Sequence, residues 1–360
     1  MASGYFITGI TTGNLIKLVK RNGIGWHPKY VYRFIFLLFC SLGTSLFKLL
    51  EKLLFSEKIN SASPPQDPII IVGHWRSGTT FLHQLFSALP GFKTPSMLEI
   101  GTPESFLVSK KILSPIIRKL LPAKRSTDNI DLGLDTPQED EFALFRATTY
   151  SPVEELVFPG KDEFFINGKC DFIPKGGLKK RWKKALLDFC TKLSILNEGR
   201  IVLKNPFHST RIVFLKKIFP KAKFIHIRRN PYHVLPSTIR MWKIEGINNG
   251  LRDGHMAPSM ERAIAIYDTV LRKIKHDFQK IPKCDYCTIQ YEDLVENPVA
   301  TMCHACRSIG VELSLKQVED LRSFVRSVGK YKKNSYDLSE EQVELIRTRL
   351  HHHLEETVQR

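Results

Sequence analysis

The stretch Ile69–Leu82 (IIIVGHWRSGTTFL) combines residue types that suit the binding of a phosphate group. An apolar predicted strand leads into Gly73. After four more residues comes Gly78, and then Thr79 and Thr80 open an apolar helical pattern. A strand, a glycine loop and a helix in this order turn backbone N–H groups and a helix N-terminus toward an anion. We therefore predict a phosphate-binding loop after this strand.

The loop departs from the Walker A pattern at one informative position. Walker A sequences carry a lysine directly after the second glycine, whereas this chain has Thr79 there and holds its cation, Arg76, inside the loop. The missing lysine argues against a P-loop kinase or NTPase, which stays the first alternative. A protein that binds the 5′-phosphate of another nucleotide fits better, and an ordinary turn between strand and helix is the simplest alternative.

A second stretch, Lys223–Thr238 (KFIHIRRNPYHVLPST), adds another candidate anion site. Its predicted strand ends at Arg229, and Asn230 followed by Pro231 is a typical N-cap and first position of a helix. Ser237 comes eight residues after Arg229, about two helical turns, so both side chains can reach one anion. Together with the loop, this pattern predicts a nucleotide bound at two phosphates.

Both stretches resemble motifs of the sulfotransferases that use 3′-phosphoadenosine 5′-phosphosulfate (PAPS) as donor. The loop sequence RSGTT and the pattern R-x-P-x-x-x-x-x-S, which begins at Arg229, occur in the family's order. Val202–Phe207 (VLKNPF) resembles the segment with the catalytic lysine, and Tyr291–Val295 (YEDLV) resembles a segment late in the domain. Arginine in the loop is similar to the tyrosylprotein-sulfotransferase-like branch and its bacterial relatives. The resemblance spans roughly residues 68–340.

The resemblance implies a role for each matching residue. Five loop residues would cradle the 5′-phosphosulfate: Arg76, Ser77, Gly78, Thr79 and Thr80. Arg229 and Ser237 would bind the 3′-phosphate, and Tyr291 would pack against the adenine. Lys204, with Arg76, would stabilise the negative charge that builds on the leaving phosphate. From the residues alone, Lys204 also fits a solvated lysine at a strand end, and Tyr291 a strand-end aromatic.

The acceptor hydroxyl also needs a general base. Glu99, in PSMLE, resembles the catalytic glutamate of the tyrosylprotein-like branch and is our first choice, while His208 resembles the histidine base of the cytosolic branch. The acidic run at 139–141 (within QEDEF) is predicted to be a solvated face, with a place in the lining of the acceptor cleft as the alternative. The resemblance implies transfer without a metal, since N–H groups and cations take the place of Mg²⁺.

The composition is that of a globular protein with an anionic partner. Of the 360 residues, 42% are hydrophobic and 25% are charged, which excludes a fibrous or wholly disordered chain. The net charge of +18 favours a phosphate, a sulfate, nucleic acid or an anionic membrane as partner. The chain has no compact basic tract with interleaved aromatic residues, so nucleic acid is not predicted. A non-catalytic protein that binds anions or membranes is the second alternative function.

Short β-rich runs alternate with helical patterns, which predicts an α/β fold with a P-loop-like parallel sheet flanked by helices. The predicted strands are residues 69–72, 200–203, 222–227 and 286–290. The sulfotransferase domain is assigned to residues 66–360, after a polar, proline-rich linker at 56–67. Residues 100–185 are less regular and are predicted to hold an insertion that shapes the acceptor cleft.

An apolar helical appendage precedes the domain, in residues 1–60. Phe34–Phe47 is uncharged, but its 14 residues are fewer than the roughly 18 to 20 that a spanning helix needs. Basic residues on both sides favour a helix that lies on an anionic membrane surface through residues 29–55. Packing on the protein's own core or on a second subunit, as in a homodimer, is the equal alternative. No cleavable signal is evident, so we expect a cytoplasmic protein, free or peripheral on a membrane.

Two patterns of metal-ligand residues are present, but neither is predicted to bind metal. The seven cysteines include CxxC pairs that begin at Cys284 and Cys303. The first pair lies on a predicted strand and the second in a helical core stripe, so we expect small buried hydrophobic residues. His351–His353 lie in a predicted helix that opens at Ser339 and would spread around its axis. No metal site is therefore expected.

Overall fold

The computed structural model of the protein describes residues 6–120, 133–160, 164, 170–196, 198–255, 257–328 and 336–358. Its strands are β1 (Ile69–Val72), β2 (Phe92–Lys93), β3 (Arg200–Lys204), β4 (Lys223–Arg228) and β5 (Tyr286–Gln290). They form one parallel sheet with the order β2–β3–β1–β4–β5. The predicted parallel sheet and its four strands are confirmed, and β2 is an addition.

Helices cover both faces of this sheet. The α-helices in the described part of the chain are α1 (Thr12–Asn22), α2 (Pro28–Ser61), α3 (Thr79–Ser87), α4 (Met97–Gly101), α5 (Phe106–Leu120), α6 (Glu141–Thr148), α7 (Glu154–Val157), α8 (Gly176–Leu196), α9 (Ile212–Ile218), α10 (Pro231–Asn249), α11 (Met260–Phe278), α12 (Tyr291–Glu296), α13 (Pro298–Ser308), α14 (Leu315–Val328) and α15 (Glu340–Val358). Short 3₁₀ helices occupy Pro206–Thr210 and Lys283–Asp285.

The strand β1 lies at the centre of the sheet and is buried on both faces. Ile70 and Val72 belong to one core cluster, and Ile69 and Ile71 belong to the other. This alternation is the period of a strand, and burial on both faces is typical of a parallel sheet between helices. The carboxyl ends of β1, β3 and β4 therefore meet at one edge, where ligands bind in folds of this type.

Two predicted helix starts are confirmed by hydrogen bonds. At the start of α10, the Asn230 side chain accepts from the N–H of Tyr232 at 3.0 Å. Before α15, the Ser339 N–H donates to Gln342 Oε1 and the Gln342 N–H donates to Ser339 Oγ, both at 3.2 Å. The helix α15 then bends at Leu350, which has a φ of −119°.

The helix α2 is longer than the sequence suggested. It runs for 34 residues and ends at Ser61, so residues 56–61 of the predicted linker are helical. By length and composition it is the one helix in the described ranges that could cross a membrane, and 22% of its most apolar 18-residue window is buried inside the protein. The apolar segment was predicted to be too short to span a membrane. The prediction is wrong about the length of the helix.

The helix α2 is apolar on both sides. Its buried residues are Tyr30, Leu37, Ser41, Thr44 and Glu51, and Phe34, Leu38, Phe55 and Ile59 are half-buried against the core. The opposite side exposes large apolar residues: Ile35, Phe36, Phe39, Leu42, Leu46, Leu49, Leu53 and Leu54. An amphipathic helix on a soluble protein turns its apolar stripe toward the core, so the exposed apolar side of α2 is unusual.

Candidate active site

The loop between β1 and α3 is held in one shape by hydrogen bonds and by glycine. Ser209 Oγ accepts from the Gly73 N–H at 2.9 Å and donates to the Gly73 carbonyl at 3.0 Å. Gly78 has a φ of 99°, and a Cβ there would lie 2.2 Å from Cδ2 of Tyr291. Arg76 has a φ of 65°, a left-handed conformation that costs a non-glycine residue about 1–2 kcal/mol. Strain is therefore concentrated at the residue predicted to supply the loop's cation.

The remaining loop residues have distinct places. Ser77 Oγ donates to the His74 carbonyl at 2.7 Å, so this hydroxyl shapes the loop itself. Thr79 is buried and is the first residue of α3. Thr80 Oγ1 lies 3.4 Å from Lys204 Nζ, across the gap between α3 and the end of β3. The loop and the predicted catalytic lysine are therefore neighbours.

The residues predicted to bind the 3′-phosphate and the adenine form a second cluster beside the loop. Arg76 Nε donates to Ser237 Oγ at 2.9 Å, and an Arg229 N–H donates to the Arg76 carbonyl at 2.9 Å. The Arg229 guanidinium lies 4.2 Å from the centre of the Tyr291 ring. Tyr336 OH donates to Ser237 Oγ at 3.2 Å. The structure brings these three predicted residues together with Arg76 of the loop and adds Tyr336, which no motif had indicated.

Lys204 is a buried lysine rather than a solvated one. It is 1% exposed at the end of β3, and its Nζ lies 2.6 Å from Glu139 Oε1. The Glu139 side chain keeps 21% of its surface exposed. The ion pair joins the donor loop region to the acidic run, and it leaves one carboxylate within reach of solvent.

The acidic run at 139–141 is not the predicted solvated face. Asp140 and Glu141 are fully buried. Glu141 pairs with Arg211 at 2.6 Å and accepts from Asn205 Nδ2 at 2.7 Å. Burial alone would raise the pKa of Glu141, but the Arg211 guanidinium outweighs it and holds the pKa below its ordinary value. The prediction failed because the counter-charges come from residues about 70 positions later. The apolar residues that follow the run were the available signal of burial.

His208 lies inside this buried network. Its Nε2 is 2.7 Å from Asp140 Oδ2, and its Nδ1 is 3.4 Å from an Arg211 nitrogen. The ring is fully buried. His208 therefore supports the acidic segment that carries Glu139. Both of its ring nitrogens contact buried protein groups, so neither is open to the hydroxyl group of a substrate.

Glu99 is also buried and is bonded within its own region. Its carboxylate accepts from the Ser96 N–H at 2.7 Å, in the capping box of α4, and pairs with Lys93 and Lys110 at 2.8 Å each. Burial alone would raise the pKa of Glu99, yet Lys93 and Lys110 together hold the pKa below its ordinary value. These partners belong to β2, α4 and α5, and none lies in the donor loop or on β3.

The metal-ligand patterns have a mixed outcome. Cys287 and Cys306 are buried, whereas Cys284 is exposed and Cys303 is half-buried. Among the described residues, the only group with the spacing of metal ligands is Asp268, His352 and His353. The expectation that the histidine run spreads away from any common point is therefore wrong, because two of its rings turn toward one carboxylate.

This combination of sheet, loop and cations defines a nucleotide-dependent group-transfer enzyme with a P-loop-like fold. The chain belongs to the sulfotransferase family, whose sequence profile (described as "Sulfotransferase family") matches residues 68–314. It is 30% identical over 325 residues to omega-hydroxy-beta-dihydromenaquinone-9 sulfotransferase Stf3 of Mycobacterium bovis and of Mycobacterium tuberculosis, which covers 89% of this chain and 81% of each relative.

Solved structures show the same fold. The sulfotransferase STF9 from Mycobacterium avium matches with a TM-score of 0.70 and 15% identity, over 97% of this chain and 96% of that one. STF1 from Mycobacterium tuberculosis H37Rv matches with a TM-score of 0.62 and 17% identity, over 94% and 90%. The protein is therefore an enzyme that transfers a sulfuryl group from PAPS to an acceptor hydroxyl. The predictions of family, fold and donor are confirmed, and the kinase and non-catalytic alternatives are set aside.

Proposed function

We propose that the enzyme sulfates the hydroxyl group of a lipid alcohol at a membrane surface, with Lys204 and Glu139 as its catalytic pair. The observation that carries the catalytic part is the 2.6 Å ion pair between these residues. Lys204 also lies 3.4 Å from Thr80 Oγ1 in the donor loop. One end of the pair therefore faces the donor, and the other end is open to an acceptor.

The donor is assigned to the loop and to the cluster beside it. Backbone N–H groups at the start of α3 suit the 5′-phosphosulfate, as helix N-termini suit anions. Arg229 and Ser237, with Arg76 hydrogen-bonded to both, suit the 3′-phosphate. The Tyr291 ring, which stacks under the Arg229 guanidinium, offers an aromatic surface to the adenine.

In the transfer, the bond between sulfur and the bridging phosphate oxygen breaks, and a bond from sulfur to the acceptor oxygen forms. The electron pair of the broken bond stays on the phosphate oxygen, where Lys204 supplies a compact positive charge. The acceptor hydroxyl gives its proton to the Glu139 carboxylate. When Lys204 turns toward the leaving oxygen, it releases Glu139 to the acceptor.

Glu139 replaces Glu99 and His208 as our choice of base. A base must come within hydrogen-bond reach of the proton that it removes. Glu99 is saturated by Lys93 and Lys110, and His208 is enclosed by Asp140 and Arg211. Glu139 contacts Lys204 and keeps an exposed edge, so it alone of the three candidates combines access with contact to the lysine.

The exposed apolar side of α2 supports the membrane part of the proposal. Its apolar side is wide and strongly exposed, for example 78% at Phe39 and 71% at Leu53. Ile112 and Ile116 of α5, which packs beside α2, extend the same kind of surface. Trp26, 90% exposed just before α2, is the residue type that favours a membrane interface. A lipid surface would cover this face as it covers an interfacial helix.

The polar contacts of α2 argue for a helix in the plane of the membrane rather than across it. Contacts run along its length to the domain: Arg33 to the Gly250 carbonyl at 2.7 Å, the Thr12 N–H to Ser45 Oγ at 2.9 Å, and Lys192 to Glu51. A spanning orientation would break all of these contacts. Uncoupling the buried Glu51 pair alone costs about 3–5 kcal/mol.

The position of this surface and the name of one relative support a lipid as the class of acceptor. Stf3 is named as a sulfotransferase of omega-hydroxy-beta-dihydromenaquinone-9, a hydroxylated lipid quinone. An enzyme that rests on a bilayer through α2 would meet such an acceptor where it resides. The formal charge of +18 favours the anionic, cytoplasmic leaflet.

The test supplies PAPS together with two acceptors: a hydroxylated isoprenoid quinone in phosphatidylglycerol vesicles, and a short primary alcohol in buffer. We expect the enzyme to bind the vesicles and to form the sulfated lipid faster than the sulfated short alcohol. Equal rates with the two acceptors and no vesicle binding would contradict the proposed lipid acceptor and membrane contact. The assignment of the PAPS site would be unaffected. A stable dimer by light scattering, with no vesicle binding, would assign the apolar face to a second copy.

A further inference from the structure

Three potential metal ligands converge between α11 and α15, away from the donor loop. His352 Nε2 lies 3.0 Å from Asp268 Oδ1, and His353 Nε2 lies 2.9 Å from the same oxygen. One ligand atom from each of the three residues lies within 4.8 Å of the other two. His353 is buried, and the other two are half-buried, so the cluster is open to solvent on one side.

Adjacent residues of a helix point about 100° apart, so this convergence needs a cause. Both imidazoles turn toward the Asp268 carboxylate, which brings their ring centres to 4.1 Å. The carbonyl of His353 is held in addition by an Arg228 N–H at 3.0 Å. The geometry is thus fixed from two sides, by α11 and by the end of β4.

The Asp268 carboxylate has one further partner. Arg272 Nε lies 2.8 Å from each of its two oxygen atoms. The guanidinium therefore bridges the carboxylate, whereas both imidazole nitrogens lie at Oδ1. A cation between the imidazoles and Asp268 would be bound by a lone pair of each ring. Arg272 would keep its ion pair with the carboxylate.

We propose that Asp268, His352 and His353 bind a divalent transition metal, with Zn²⁺ as the best match. Two imidazole nitrogens, one carboxylate oxygen and a water form a tetrahedral ligand set that zinc uses. Bonds of about 2.0–2.1 Å in that geometry place ligand atoms about 3.3 Å apart. The observed separations of 2.9 and 3.0 Å from Asp268 Oδ1 need a small outward movement of the side chains. The third separation, between the two imidazole nitrogens, lies within 4.8 Å.

The metal would act as a clamp on the C-terminal helix and would take no part in the transfer. It would fix α15 to α11 next to Arg228, the residue before Arg229 of the donor cluster. Tyr336, which precedes α15, contacts Ser237 in that same cluster. Metal binding at this site is independent of the proposed acceptor and base.

The test uses the full-length enzyme without an affinity tag, freed of metal by a chelator and then titrated with ZnCl₂ in a calorimeter. We expect one Zn²⁺ per chain and a higher melting temperature of the metal-bound form. His352→Ala, His353→Ala and Asp268→Asn should each weaken zinc binding by more than about tenfold. His351→Ala is the matched control, because His351 is exposed, lies outside the cluster and should bind zinc as the wild type does.

A spectroscopic measurement guards against variants that fold poorly. Wild-type protein loaded with Co²⁺ should show the visible absorption bands of a four-coordinate site, and addition of Zn²⁺ should remove them. No stoichiometric binding by the wild type would overturn the proposal. An equal loss of zinc affinity in His351→Ala and in His353→Ala would also overturn it, because zinc would then bind to any of the three consecutive histidines.

Discussion

Lys204 Nζ lies 2.6 Å from Glu139 Oε1, and this ion pair joins the end of β3 to the segment that leads into α6. The lysine is buried against the donor loop, whereas the carboxylate keeps an exposed edge. Two opposite charges are thus in place before either substrate binds. One suits the leaving phosphate oxygen, and the other suits the acceptor proton.

Replacement of Lys204 by methionine should mainly slow the chemical step. Loss of a donor aimed at developing charge typically lowers kcat by about 10²–10³, while the other donor-site residues keep most of the affinity for 3′-phosphoadenosine 5′-phosphate (PAP). Single-turnover rates and calorimetric titration with PAP separate the two effects. Lys184→Met, at an exposed lysine that pairs with Asp188, should change neither quantity. An equal loss of affinity and rate would contradict the assignment.

Gly78→Ala should damage the donor loop. The new Cβ would lie 2.2 Å from the Tyr291 ring, at a φ of 99° that side chains rarely adopt. We expect a loss of about 1–3 kcal/mol in the free energy of unfolding and weaker PAP binding. Gly43→Ala in α2 is the control, because nothing lies within 4 Å of its Cβ. Chemical denaturation and calorimetry measure both effects, and a stable Gly78→Ala enzyme with normal PAP binding would refute this account of the loop.

Charges on the apolar side of α2 should detach the enzyme from membranes without unfolding it. The double variant Phe39→Glu and Leu53→Glu alters two strongly exposed positions, so the core is unaffected. We expect co-sedimentation with phosphatidylglycerol vesicles to be lost, while the melting temperature stays close to that of the wild type. Leu315→Glu, at a 92% exposed position of α14, controls for the added charge. Vesicle binding that survives the double variant would exclude α2 as the membrane contact.

The contribution of Glu99 to stability should depend on pH. Burial by itself would raise the pKa of Glu99, but Lys93 and Lys110 hold it below the ordinary 4.5. The carboxylate therefore stabilises the fold above the unfolded pKa, and this contribution is lost as the pH falls through the folded pKa. Glu99→Gln should cost about 3–5 kcal/mol at neutral pH and less in acid. Urea unfolding over a pH series tests this, and a pH-independent difference would contradict it.

The sequence predicted that the loop after β1 and the residues after β4 lie together, and they do, because the signals are local. A glycine loop and an N-capped helix can each be identified from a short stretch of sequence. Because both follow parallel strands, the sheet places them at the same edge. The strand β2 has two residues, too few for a period to show. The role of 139–141 depends on Arg211 and His208, which approach only through the fold. A local sequence pattern does not show which charged residues pair over a long separation in the chain.

The helix α2 illustrates a different limit. Two charged residues stand within its apolar pattern: Glu51 is buried and pairs with Lys192, whereas Lys48 is half-exposed and pairs with Glu104. A periodic pattern shows that a helix has two faces, but it does not show which face meets the domain. The burial of Glu51 depends on Lys192, which lies far along the chain.

The most direct test of the central claim is the rate of sulfate transfer by Glu139→Gln under single-turnover conditions, with PAP affinity measured in parallel. Loss of a general base lowers the rate by about 10²–10⁴, so we predict a fall in that range with PAP binding unchanged. The wild type and Glu99→Gln serve as references, at a temperature below the melting transition of each. A Glu139→Gln enzyme that transfers sulfate at the wild-type rate would show that the Lys204–Glu139 pair is not the catalytic pair.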